Sequence, residues 1–521
     1  MFQFYNLFKL TSLAIFIFFA VVILIPTDLD KQKNTLVYAT YSDVHDWDPA
    51  SAFSLEVLIL ANIYETLVYY DPENKDSVIQ PALAKAWSVS DDGLVWTFKL
   101  RDNVYFHDGT ELTAEVAKNS IERTIAIGKG GAYIWAPVES LEALDKLTLK
   151  ITTLYPAPID LIASSQYAAY IYSLKAAELG TDWFQSGNAA GTGPYKLRQW
   201  DRNQQIVIEQ NMDYWKAWSE NQITRVLFKI VRESATQVQM LLSGDADFVT
   251  LVPVDLINAL DKNKNITVSY IPSWKNSQFL INTSKAPTDD LNFRKALIHA
   301  WDYQTVVDKI YEGSAEVARG IIPKTMWGHD ESLSAPKFDL ELAKKYLEAS
   351  AVPNEKRKIT ISYISTSAAY QSAVELYQSN LSKIGISAEV KPGAWGTIWA
   401  SAKSKNSAPN MISMTWWPTY PTPSDWLTGL FKTENPTNFN LSYYSNSEYD
   451  QLIEEGLKFE GSNRNLAINN YKLAQELLIK DAVAICYADL KERIIHSSKL
   501  SSFRTNPAYN SIFFYHLRKE N

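Results

Sequence analysis

The sequence predicts an α/β protein of more than one domain, and three observations carry that expectation. Stretches alternating apolar and polar residues at a period of two are interleaved with stretches whose apolar residues recur at helical spacing. The chain has 521 residues and is 46% hydrophobic, enough for several cores at roughly 150 residues per domain. No Gly-, Pro- or Ser-rich linker divides it, so the domains are expected to be built from discontinuous segments.

The elements follow in chain order. Met1 to Leu10 carries the single cation Lys9, Leu13 to Ile25 is apolar throughout, and Pro26-Thr27-Asp28 ends the run. This is the pattern of an export signal. The apolar run, about 13 to 16 residues, is short of the ~20 that span a bilayer. Residues 1–34 are thus expected to act as a signal peptide, or to stay as an anchor through residues 10–26. Either places the body in the periplasm or at the cell surface. No cysteine near the end of the run offers a lipid attachment point.

In the body, Trp96, Phe98 and Leu100 fall on one side of a predicted strand, as do Val226, Phe228 and Ile230, and again Ile359, Ile361 and Tyr363. Thr113 is placed to cap a helix carrying Val116, Ala117, Ile121 and Ile125, and Asp290 to cap one carrying Leu297, Ala300 and Trp301. Asp302 stands where the pattern restarts and Gly313 where it stops. Two more helices run through Leu342, Tyr346 and Leu347, and through Val374, Tyr377, Leu381 and Ile384. Ser401 to Asn410 is polar and reads as a surface loop. No solenoid-length repeat is present.

Composition narrows the function. The net charge is −8 with no basic tract, which argues against nucleic-acid partners. The lone Cys486 lies in an apolar stretch and reads as a small buried hydrophobe. The six histidines show no metal-ligand spacing, and neither a nucleophile elbow nor a phosphate-binding loop is found. Asp91-Asp92 and Asp289-Asp290 sit where turns and caps place acids. No catalytic residue, metal or cofactor is expected. The 16 tryptophans are the unusual feature, divided between core and a concave binding site.

Four groups of residues, in order over several hundred positions, resemble the bacterial extracellular solute-binding proteins of family 5, the oligopeptide and dipeptide binders of ABC importers. They are Asp48-Pro49-Ala50 with Ile63-Tyr64-Glu65-Thr66-Leu67; Pro81-Ala82-Leu83-Ala84, Trp87, Asp92-Gly93, Trp96-Thr97-Phe98, Leu100-Arg101 and Phe106-His107-Asp108-Gly109-Thr110; Gly191-Thr192-Gly193-Pro194-Tyr195 with Tyr214-Trp215; and Asn282-Thr283, Phe293-Arg294-Lys295-Ala296-Leu297 and Ala300-Trp301-Asp302. The resemblance implies a type II periplasmic-binding-protein fold, with two α/β lobes joined by a hinge and an inserted extra domain. Lobe I would comprise 35–50, 165–280 and 488–521, the inserted domain 51–164, and lobe II 281–487. It also implies a non-enzymatic, monomeric protein that closes on a small-molecule or peptide ligand and delivers it to an ABC transporter permease.

The same resemblance suggests ligand-binding positions. Peptide-binding relatives carry a Trp, two residues, then Asp-Tyr on a cleft loop of the second lobe, the Asp pairing with the ligand's α-ammonium. Here the loop reads Trp416-Trp417-Pro418-Thr419-Tyr420, with Thr419 in place of that Asp. A hydroxyl supplies a dipole, not a counter-charge. Either another acid serves, Asp425 being nearest, or the ligand is not held by a free amino terminus. Trp395 matches a cleft Trp, Tyr133 and Trp135 a contact from the inserted domain, and Phe53 and Ser54 a first-lobe contact. Ordinary packing is the competing reading for each of these aromatics. Three alternatives stay open: the same fold binding a sugar, opine or amide, a membrane-tethered sensor, and, more remotely, a secreted hydrolase.

Overall fold

Apolar alternation and helix capping become real elements at the expected places. In the computed structural model, which describes residues 34–520 apart from 75–76, 366–367, 505 and 510, the strand Val95–Leu100 buries Trp96, Phe98 and Leu100 on one face. Thr113 accepts from the Val116 N–H at the start of helix Ala114–Ile127, and Asp290 from the Phe293 N–H at the start of Leu291–His299. Asp302 caps a further short turn through the Thr305 N–H. The apolar segment read as signal or anchor lies outside the described residues. Among the described residues no helix is long and apolar enough to cross a membrane.

One sheet of eleven strands runs through the molecule. From one edge its order is Ser387–Gly393, Lys358–Ile364, Met411–Trp416, Ile266–Ile281, Ala484–Ser497, Phe248–Val249, Thr35–Thr40, Arg225–Ile230, Gln205–Gln210 and Tyr195–Asp201, with Ala315–Glu316 paired beside Ala484–Ser497. The two long central strands, of 16 and 14 residues, pair antiparallel and belong to both ends of the sheet. Their register slips between Pro272 and Asn276 and again between Ser277 and Gln278. Such bulges bend a strand and sharpen its twist. They therefore mark where the chain turns from one half of the sheet into the other.

Each half has its own core. Tyr38, Phe228, Phe248 and Phe514 pack at one end, and Phe279, Trp301, Tyr377 and Tyr487 at the other. A separate sheet, Ala84–Val89, Val95–Leu100, Thr148–Thr153 and Val138–Asp145 in that order, backs onto helix Ala114–Ile127. Its core is continuous with that around Trp426 and Tyr471. Cys486 is buried beside Gln278 on the central strand pair, and burial pushes its thiol up.

Ser401 to Asn410 departs from the surface-loop expectation at both ends. Ser401 and Ala402 close helix Trp395–Ala402, and Ala408 to Asn410 are buried. The reason is Asn410, whose side chain donates to the Ala286 carbonyl and accepts from the Thr360 N–H. Residues 404–407 alone are exposed in that stretch.

The shared motifs turn out to hold one another. Glu65 accepts from the Thr192 hydroxyl at 2.9 Å, the Tyr214 hydroxyl at 2.9 Å and the Trp215 indole N–H at 2.9 Å. Burial raises the Glu65 carboxyl, and Lys216 and these donors pull it back. The His107 backbone N–H donates to the Gly191 carbonyl, while its Nε2 lies 2.9 Å from the Gly193 carbonyl. A Cβ at Gly191 would stand 2.0 Å from the Ile63 carbonyl oxygen, which explains the glycine there. These residues build a scaffold, and none of them lines the cavity described below.

Candidate functional site

Beyond strand Thr35–Thr40 the chain turns through short polar side chains that bond their own backbone. Asp43 accepts from the Val44 N–H, Asp46 from the Asp48 N–H, and Asp48 from the Ala50 N–H. This turn, the first half of the central strand pair and the C-terminal segment enclose a cavity of ≈ 370 Å³. That size falls within the ~300–1,000 Å³ of small-molecule sites. Tyr38, Phe228, Phe248, Trp274 and Tyr509 line it. Trp417 and Pro418, which follow strand Met411–Trp416, line it too.

The walls carry both signs of charge. Lys275 and Glu492, on the paired central strands, meet at 2.7 Å. Asp43 accepts from the Trp200 indole and from the Asn203 backbone. Arg493, Arg504 and Glu56 complete the charged lining. A polar solute with both donors and acceptors suits such walls better than an apolar one.

The halves touch around this cavity. Ser165 donates to the Thr419 carbonyl at 2.6 Å, and the Tyr133 hydroxyl bonds the Thr419 hydroxyl. Arg464 pairs with Asp160 at 2.8 Å. The Tyr70 and Trp274 rings meet edge to face at 5.3 Å.

The residues expected at the site divide into four groups. Trp417, 44% exposed, is the one that lines the cavity. Tyr133, Thr419, Trp416, Asp425 and Tyr420 gather where the halves meet, beside the cavity and not in its wall. Phe53 packs edge-on against Tyr167, itself a lining residue, at 5.0 Å, and Ser54 stands exposed next to it. Trp135 and Trp395 lie apart. Trp135 is fully buried with its indole donating to the Ala168 carbonyl, so it is a packing residue. Trp395 is half-buried at the start of helix Trp395–Ala402.

Asp425, the acid nearest the loop, lies outside the lining of this cavity. It is 8% exposed and accepts from the Trp416 indole at 2.9 Å. Burial raises its carboxyl from 3.8 to about 7, the Trp416 and Thr419 N–H groups oppose the rise, and Glu460 adds to it. An acid whose folded pKa exceeds its unfolded value binds more protons when folded. Stability should therefore fall as pH rises from about 4 to about 7. Asp425→Asn should flatten that decline without abolishing it, because burial also raises Glu460. Urea midpoints at about pH 5 and about pH 8 in both proteins check this.

Glu56, Trp274, Glu492, Arg493, Arg504 and Tyr509 were not singled out from the sequence. The partial alternation of Ile266, Val268, Tyr270 and Trp274 in Ile266–Ile281 was the one available signal. The others belong to segments hundreds of residues apart.

Comparison with known proteins agrees with this fold. Residues 78–438 match the family described as bacterial extracellular solute-binding proteins, family 5 Middle. The chain is 29% identical over 92% of its length to the "Probable D,D-dipeptide-binding periplasmic protein DdpA" of Escherichia coli K12, covering 93% of that protein. It is 28% identical over 91% of its length to the glutathione-binding protein GsiB of Escherichia coli O6:K15:H31, covering 92% of it. The periplasmic binding protein DppA of Helicobacter pylori, solved with the peptide STSA, superposes with a TM-score of 0.78 at 26% identity, over 94% of this chain and 98% of that one. NikA of Brucella suis, at 19% identity and a TM-score of 0.83 over 93% and 100%, shares the fold.

Proposed function

Because this chain belongs to the bacterial extracellular solute-binding proteins of family 5, we propose that it captures a short peptide or peptide-like solute outside the cytoplasm and delivers it to the permease of an ABC importer. The observation that carries this reading is the mixed-charge cavity of ≈ 370 Å³ lined by Trp417 and Pro418 among others. The peptide-binding names of its relatives support the solute class. Capture needs no bond made or broken. The ligand favours the closed arrangement only by contacts that the open one lacks.

Thermal unfolding with a panel of di- to pentapeptides tests the reading. Peptides should raise the midpoint by mass action. A panel without effect, where sugars or opines do shift it, would transfer the site to a non-peptide solute. Thr419, uncharged where peptide-binding relatives place an acid, is the feature that favours that second reading. Trp417→Ala should weaken binding of the active solute by about five- to thirtyfold, the loss of one well-placed aromatic contact. Isothermal titration of both proteins measures it.

A further inference from the structure

Six charged side chains stand in the wall of the cavity: Asp43, Glu56, Lys275, Glu492, Arg493 and Arg504. Five of them are engaged. Lys275 and Glu492 meet at 2.7 Å. Asp43 accepts from the Val44 and Asn203 backbone N–H groups and from the Trp200 indole. Glu56 accepts from the Phe53 and Ser54 N–H groups, and Arg493 donates from Nη2 to the Val252 carbonyl at 3.2 Å. Arg504 alone makes no hydrogen bond or ion pair with another described residue. It is exposed. The groups that feel its charge, Tyr69 and His516, are a phenol and an imidazole, and neither offers a negative partner.

The chain on both sides of Arg504 is pinned. Phe503 stacks on His496 at 5.1 Å and on Phe248 at 6.1 Å. Two residues beyond Arg504, the Asn506 side chain donates to the Tyr70 carbonyl at 2.7 Å and accepts from the Ala508 N–H. The Tyr509 hydroxyl accepts from the Tyr70 N–H at 2.7 Å and donates to the Ser164 carbonyl at 3.0 Å. The guanidinium is thus brought to the cavity by an ordered segment, and a guest pays little backbone entropy to meet it.

A planar fork of N–H donors is matched by the two oxygens of a carboxylate. We propose that Arg504 takes a carboxylate of the captured solute, in a peptide either the C-terminal one or that of an acidic side chain. This rests on the peptide reading above. Exclusion of water as the halves close on the guest strengthens such a pair, so the contact also favours closure.

The test uses alanine di- and tripeptides with a free C terminus, the same peptides amidated, and amidated peptides with one alanine replaced by aspartate, titrated into wild type and Arg504→Gln. Glutamine keeps a polar side chain and removes the charge. Wild type should bind the free acids about five- to tenfold more tightly than the plain amides, and Arg504→Gln should bring the two within about twofold. Amidated aspartyl peptides that regain the affinity in wild type and lose it in Arg504→Gln would place the carboxylate on a side chain; no such recovery would place it at the C terminus. Equal binding of all three sets to wild type, or an unchanged preference in a folded Arg504→Gln, overturns the assignment and leaves the peptide reading standing. Failure of every set to bind wild type overturns the peptide reading and this assignment with it. The comparison of acid with amide needs no variant, and circular dichroism and melting of ligand-free Arg504→Gln should match wild type, since the side chain it replaces is exposed and unpaired among the described residues.

Discussion

Arg123→Ala should lower the unfolding free energy by about 3–5 kcal/mol, the cost of stranding a buried carboxylate. That carboxylate is Asp48, whose side chain is 0% exposed, against 15% for Arg123. The pair is bidentate, Arg123 Nη1 to Asp48 Oδ1 at 2.8 Å and Nη2 to Oδ2 at 2.6 Å. It ties helix Ala114–Ile127 to the turn that ends in the cavity wall. Arg123 also lies over the rings of Tyr172 and Phe184 at 5.5 and 5.1 Å, so alanine forfeits packing as well as charge. The Thr181 hydroxyl and the Ala50 N–H would remain on Asp48, but neither neutralises it. The double replacement Asp48→Leu with Arg123→Met should recover a large part of the loss, since a buried pair exchanged for apolar residues of similar volume is often near neutral. Urea unfolding of the three proteins checks this, and a loss under about 1 kcal/mol in the single variant would contradict it.

Trp301→Ala should be as damaging, at about 3–5 kcal/mol. Trp301 is fully buried between Phe279, Tyr377 and Tyr487, with ring centroids at 4.9, 5.0 and 4.7 Å. Those neighbours come from the central strands and from helix Ala368–Lys383, and they cannot collapse into the space without moving the sheet. The indole N–H has no partner among the described residues. Trp301→Phe should therefore cost far less, under about 1.5 kcal/mol, because it removes an unpaired donor while keeping most of the ring. Similar losses in the two variants would show that the whole indole, and not its apolar surface, fills the core.

Much of the fold was legible in the sequence because it rests on local rules. The alternation at Trp96, Phe98 and Leu100 and the caps Thr113, Asp290 and Asp302 all act within a few residues of themselves. Their outcome does not wait on distant packing. The shared motifs were legible as a family signature, but their roles were not: Glu65 meets Thr192, and His107 meets Gly193, only once segments 127 and 86 residues apart have folded together.

The site was the least legible part for the same reason. Its wall combines residues near positions 40, 56, 274, 417, 492 and 509, and nothing local distinguishes Glu56 from a surface acid. The aromatic loop drew attention by its resemblance to peptide-binding relatives, yet Trp417 alone of its tryptophans lines the cavity. Trp416 turns away to bond Asp425 and packs against Phe439. Trp135, expected at the site from the resemblance, is buried with its indole N–H on the Ala168 carbonyl.

Small-angle X-ray scattering with and without a saturating short peptide tests the capture reading most directly. The radius of gyration should fall on binding, as the halves that meet at Thr419 with Tyr133 and Ser165 are drawn over the guest, and the peptide should be recovered chemically unchanged. A bound peptide that leaves the radius of gyration where it was would contradict it.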